Sequence, residues 1–223
     1  MTYIALIASV LVGIIIVFGL KPSFKTIQLL LAFSGAYLLS ITILHLFPEV
    51  YETQGTNIGL FILLGLLLQL ILDFFSKGAE HGHIHVEENI IFPWALFISL
   101  NIHAFLEGIP LAHNLGHEYL LWAIVIHNIP ISIILGTFFV GSKISRKNAV
   151  LFLLLFSLMS PLGRIAGEYV QILTTYKTEI TAIIIGIFLH ISTIILFETS
   201  KDHKFNLIKF VAILIGMVVA YLA

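Results

Sequence analysis

Cysteine is absent from the 223 residues. No disulfide can brace the fold and no thiolate can bind a metal, so any metal site must be built from nitrogen and oxygen. Charge is scarce as well. Asp, Glu, Lys and Arg make up 10% of the chain, against about 25% in a typical soluble domain. The 11 basic residues are scattered and the net charge is −1, so the basic patch that nucleic acid demands is missing and that class of partner is excluded. Low-complexity tracts and visible repeats are also lacking. What remains is 59% hydrophobic, with a mean hydropathy of +1.09. These values predict an all-α integral membrane protein whose length is almost used up by its spans.

Eight apolar segments, each near the roughly 20 residues that cross a bilayer, are predicted at about Tyr3–Leu20, Ile27–Phe47, Ile58–Phe75, Pro93–His113, Tyr119–Val140, Ala149–Gln171, Glu179–Phe197 and Leu207–Leu222. The first lacks a basic leader and is read as a retained span, not a signal peptide. Most breaks are short and rich in turn residues, such as Lys21-Pro22-Ser23 and Gly141-Ser142-Lys143. The longest, about residues 76–92, contains KGAEHGHIHVEEN. The whole of 1–223 is read as one transmembrane domain. All the basic residues except Arg164 and Lys177 fall on alternate loops. The positive-inside rule places those loops in the cytoplasm and both termini outside, which makes the 76–92 loop cytoplasmic.

Within this apolar background, Leu100–Gly136 carries the strongest chemical signal. His103 and Glu107 stand four residues apart in the fourth span, on one face of a helix. His127 lies inside the fifth span, followed by Asn128 and Pro130. Such groups can act as interhelical hydrogen-bonding glue or as a cation site. The cost of burying a carboxylate in lipid favours the cation, and neutral imidazoles with one carboxylate suit a borderline divalent ion. Pro110 and Pro130 each follow these residues, and a helical proline frees a carbonyl. The carbonyls of Leu106 and Ile126 are therefore expected along an ion path, although proline is common in membrane helices anyway.

His81, His83 and His85 form a short tract read either as weak, dispensable metal binding or as a solvated linker. His45, Glu49 and Glu198 lie near span ends, as pathway residues or as plain surface groups. Asp73 and Glu168 read as interfacial charges, and Arg164 as a snorkelling one.

His103-x-x-x-Glu107-Gly108 and His127-Asn128-Ile129-Pro130 resemble the signature of the ZIP (Zrt-, Irt-like) family of divalent metal transporters. Similar features are His45-Leu46-Phe47-Pro48-Glu49, Ser160-Pro161-Leu162-Gly163 with Gly167, and Gly186-Ile187-Phe188-Leu189-His190 leading to Phe197-Glu198. The resemblance covers most of the chain. It implies a metal site between the fourth and fifth spans with His103, Glu107 and His127 as principal ligands, and a bundle containing those spans that moves against the others. It also shows departures. Ala104 stands where many members carry Asn. Asn128 and Ile131 stand where acidic or His residues are frequent, and Ser160 where some members have Glu. The family's second metal position is therefore expected to be dismantled, leaving one main site completed by water or Asn128. His190 occupies a place more often aromatic; it is a further candidate ligand, with packing the favoured alternative.

The expected function is transport of Zn²⁺, or of Fe²⁺, Mn²⁺, Co²⁺ or Cd²⁺, toward the cytoplasm across the plasma (inner) membrane. The metal is then substrate and not a catalytic cofactor. The divalent ion and the lipid bilayer are the expected partners, with a homodimer left open. The alternative is a membrane-embedded zinc-dependent hydrolase. A His₂Glu set also occurs in catalytic zinc sites, but such an enzyme needs a further general base, and the chain has no HExxH helix.

Overall fold

The computed structural model describes residues 1–52, 57–76, 78, 92–112, 118–197 and 206–223. Among them there is no strand. Seven helices, between 19 and 28 residues long, are long and apolar enough to span a membrane: α1 (Thr2–Leu20), α2 (Phe24–Tyr51), α3 (Ile58–Ser76), α4 (Trp94–Ala112), α5 (Glu118–Gly141), α6 (Arg146–Tyr169) and α7 (Lys177–Phe197). The eighth predicted span is the helix α8 (Leu207–Leu222), of 16 residues. At 1.5 Å per residue it reaches about 24 Å, short of a typical hydrocarbon core. A five-residue helix, Gln171–Thr175, follows α6.

The helix ends follow local chemistry. Ser23 and Ser145 cap α2 and α6 by accepting the amides of Thr26 and Asn148, each at 3.2 Å. The Asn206 side chain accepts the amides of Ile208 and Lys209 at the start of α8. These bonds satisfy donors that a helix cannot satisfy internally. Proline shapes the interiors. The backbone widens into a π turn over Thr42–Leu46, just before Pro48. α6 is interrupted at Leu158, three residues before Pro161, whose ring cannot accept a regular preceding turn.

Two sets of helices pack most closely. α1, α4, α5 and α6 form one set; α2, α3, α7 and α8 form the other. The sets meet where α5 lies against α2 and α4 against α3. Each set is closed by glycines that admit a neighbouring backbone. A Cβ on Gly108 would strike the Ser160 carbonyl, and one on Gly163 the Phe105 carbonyl, so α4 and α6 touch reciprocally. Gly65 and Gly186 do the same for α3 and α7, against the carbonyls of Ile183 and Ile62. Close approach through small residues is how helices gain packing energy in lipid, where burial of apolar surface supplies no net drive.

The outside is apolar. Ile4 and Ile15 on α1, Leu63 and Phe74 on α3, and Val218 on α8 are all exposed. α5 is buried for two thirds of its apolar length, α3 for little more than a quarter. α5 thus runs through the interior, and α3 lines it on one side while facing lipid on the other. This is an integral membrane protein, and its interior is where polar groups collect.

Candidate metal centre

Several buried hydroxyls in the spans are satisfied within their own helix. Ser34, Ser40, Thr42 and Ser132 turn their hydroxyls back to carbonyls three or four residues earlier in the same helix. They satisfy themselves and need no partner elsewhere. An imidazole or a carboxylate cannot do this. His103 (1% exposed), Glu107 (0%) and His127 (0%) are all excluded from solvent.

These three come together. His103 and Glu107 lie one turn apart on α4, with His103 Nε2 at 3.0 Å from Glu107 Oε1. His127 reaches them from α5. Its ring stands 6.0 Å from that of His103, centroid to centroid, at 78°. One potential ligand atom from each residue lies within 4.8 Å of the other two. Glu107 Oε2 is buried and has no hydrogen-bond partner among the described residues. A carboxylate oxygen in that condition is costly unless something positive meets it.

Two further polar side chains stand beside these residues or next to them in sequence. Gln69, fully buried on α3, places Oε1 3.3 Å from His103 Nδ1. The sequence reading passed over it: one amide in the run Leu66–Leu72 gives no sign of its target, 34 residues away on another helix. Asn128, the residue after His127, donates from Nδ2 to Ser160 Oγ at 3.4 Å and so ties α5 to α6.

The other candidates lie apart. His190 on α7 faces Asp73 on α3, Nε2 to Oδ2 3.8 Å, and His190 does not belong to the cluster of three. Asp73, read from sequence as a plain interfacial charge, is thus half of a pair joining two helices. His45 stacks on Tyr119 with ring centroids 4.3 Å apart, and the Tyr119 hydroxyl reaches Glu49 Oε2 at 3.5 Å. Both therefore sit where the end of α2 meets the start of α5. Glu198 and the tract His81, His83, His85 lie outside the described residues. Arg164 places its guanidinium 5.0 Å from the Tyr3 ring. The expectation for the Leu106 carbonyl is corrected. Pro110 lies in a 3₁₀ turn, Ile109–Ala112, that closes α4, and the Ile109 amide donates to that carbonyl. Tightening of the last turn satisfies the group that proline would otherwise have freed.

The donor set suits one divalent ion. Zinc binds imidazole nitrogen and carboxylate oxygen at about 2.0–2.2 Å, which puts tetrahedral ligands about 3.4 Å apart. Closing from 4.8 Å asks about an ångström or more of the widest pair, which side-chain rotation can supply.

Comparison with known proteins gives the family. The family model described as ZIP zinc transporter matches residues 76–223. Protein zntD of Dictyostelium discoideum is 30% identical over 162 residues, which cover 63% of this chain and 24% of zntD. The matched region thus spans about a quarter of that relative's length.

Proposed function

The chain belongs to the ZIP zinc transporter family, and from that premise we propose that it carries zinc or a similar divalent ion across the membrane toward the cytoplasm, through a site made by His103, Glu107 and His127. The observation that carries the proposal is Glu107: a fully buried carboxylate, its Oε2 without a hydrogen-bond partner among the described residues, beside two buried imidazoles in a lipid-spanning bundle. A dehydrated ion needs ligands strong enough to replace water and few enough to let it go. Two nitrogens and one oxygen, with water or Asn128 in a fourth place, meet both needs. Fe²⁺, Mn²⁺, Co²⁺ and Cd²⁺ accept the same donors.

The site stands next to the boundary between the two helix sets, since α3 packs on α4 and α2 on α5. Movement of one set against the other would open it to each side in turn, as alternating access requires. The distribution of Lys and Arg supports an orientation with both termini outside; delivery toward the cytoplasm across the plasma membrane is part of the proposal. The hydrolase alternative would need a second acidic group beside the metal. Among the described residues the only grouped ligand set is His103, Glu107 and His127, and its single carboxylate is spent on the ion.

The test is flux. Purified protein in liposomes loaded with a zinc-sensitive dye should fill them with Zn²⁺, and His103→Ala and Glu107→Ala should abolish filling while eluting as folded protein. Filling by either variant at the wild-type rate refutes the proposed site, and a wild-type protein that binds but never moves Zn²⁺ refutes transport.

A further inference from the structure

The two ring nitrogens of His103 face two oxygen acceptors. Nδ1 lies 3.3 Å from Gln69 Oε1, and Nε2 lies 3.0 Å from Glu107 Oε1. All three side chains are buried to within 1% of complete exclusion. A neutral imidazole has one N–H, so it can donate to only one of these oxygens. The other contact then sets a bare nitrogen against a bare oxygen, which is repulsive unless a positive species lies between them. Gln69 turns its amide oxygen, not its NH2 group, toward Nδ1, and that oxygen can only accept. Glu107 can receive a cation instead of a proton. The arrangement is consistent when Nδ1 carries the hydrogen, Gln69 accepts it, and Nε2 and Glu107 turn bare lone pairs toward the same point.

We propose that Gln69 is a positioning residue for the metal centre: its side-chain oxygen holds His103 in the Nδ1–H form and so presents Nε2 as the ligand. This deepens the proposed function and rests on it for the identity of the guest. A hydrogen bond to the remote nitrogen of a metal-binding histidine fixes both the tautomer and the angle of the ring. The distinctive point is its source. Gln69 belongs to α3, which packs in the other helix set from α4. The ligand geometry of one set is therefore fixed by a side chain of the other.

Three variants test this: Gln69→Leu removes the acceptor at similar volume, Gln69→Glu keeps an acceptor, and His103→Ala removes the ring. The first readout needs no metal. In metal-free protein labelled with ¹⁵N-histidine, the resonances missing from His103→Ala identify the ring, and their shifts give its tautomer. We expect Nδ1–H in the wild type and in Gln69→Glu, and a shift toward Nε2–H in Gln69→Leu. The second readout is calorimetric titration with Zn²⁺ alone. Gln69→Leu should bind about 10- to 100-fold more weakly, the range typical of lost outer partners, and Gln69→Glu should bind at least as tightly as wild type. An Nε2–H tautomer in the wild type overturns the proposal, as does equal weakening in both Gln69 variants, which would mark a packing role. Unchanged Zn²⁺ binding in His103→Ala overturns the metal site itself, and the tautomer readout separates that failure from a failure of Gln69.

Discussion

Among the described residues, two histidine–carboxylate pairs lie in the helix interior, and they differ in what surrounds them. His103 and Glu107 share one helix and one face, 3.0 Å apart, at most 1% exposed, with His127 arriving from the next span. His190 and Asp73 join two helices across 3.8 Å, 8% and 18% exposed, with no third metal-ligating residue grouped around them among the described residues. The same chemistry serves different ends. The second pair lies near the end of α3, where water can share the charge, so it can act as an ordinary interhelical tie. The first pair is excluded from water, and its spare carboxylate oxygen has no hydrogen-bond partner among the described residues. In membrane interiors, a buried carboxylate oxygen facing a third ligand is what separates a binding site from a packing contact.

Several substitutions would break or sharpen this contrast. The largest effect is expected from Glu107→Gln, which keeps shape and removes charge. Zn²⁺ affinity by calorimetry should fall at least a hundredfold, on the scale of the roughly 3–5 kcal/mol lost when one member of a buried charged pair is removed. Asp73→Asn at the other pair should change it by less than about threefold, a difference within the roughly 0–1 kcal/mol typical of partly exposed pairs. Equal losses at the two positions would erase the distinction.

Metal should also stabilise the fold through the first pair only. A ligand at about 100 times its dissociation constant adds about 2.7 kcal/mol, so Zn²⁺ should raise the melting temperature of wild type and of Asp73→Asn. It should leave Glu107→Gln unmoved in the same thermal scan. A similar rise in all three would place the ion elsewhere.

Next in size is the helix packing beneath each pair. Gly108→Ala thrusts a Cβ at the Ser160 carbonyl beside the first pair, and Gly65→Ala does so at the Ile183 carbonyl on the α3–α7 side. Each should cost about 1–3 kcal/mol by overpacking, seen as a lower melting temperature in detergent. Only Gly108→Ala should also weaken Zn²⁺ binding, because it displaces the helix that carries His103 and Glu107. The smallest effect is expected from Ser160→Ala. It removes the 3.4 Å acceptor of Asn128 and should cost about 1 kcal/mol of stability or less, with Zn²⁺ affinity within about threefold of wild type.

Much of this could be read from the residues. The i, i+4 spacing puts His103 and Glu107 on one face wherever a helix forms, and composition guarantees that the helix lies in lipid. Adjacent antiparallel spans then bring His127 within range. The parts that escaped reading depend on which helix faces which. Gln69 and Asp73 sit one turn apart on α3, yet one points to α4 and the other to α7. Hydropathy does not encode that choice. Hydrogen-bond register is equally silent in the sequence. Hence the π turn at Thr42–Leu46 went unforeseen, and the Leu106 carbonyl was expected to be free when a 3₁₀ turn in fact engages it. The eighth span was legible as an apolar run, and its helix, Leu207–Leu222, starts at the Asn206 cap.

The most direct test of the central claim is X-ray absorption at the zinc edge on the loaded protein. The account predicts a low-coordinate N/O shell at about 2.0–2.1 Å with the outer-scattering pattern of two imidazoles, and the loss of one imidazole's contribution in His127→Ala. A spectrum of hydrated zinc, or one that His127→Ala and His103→Ala both leave unchanged, would contradict it.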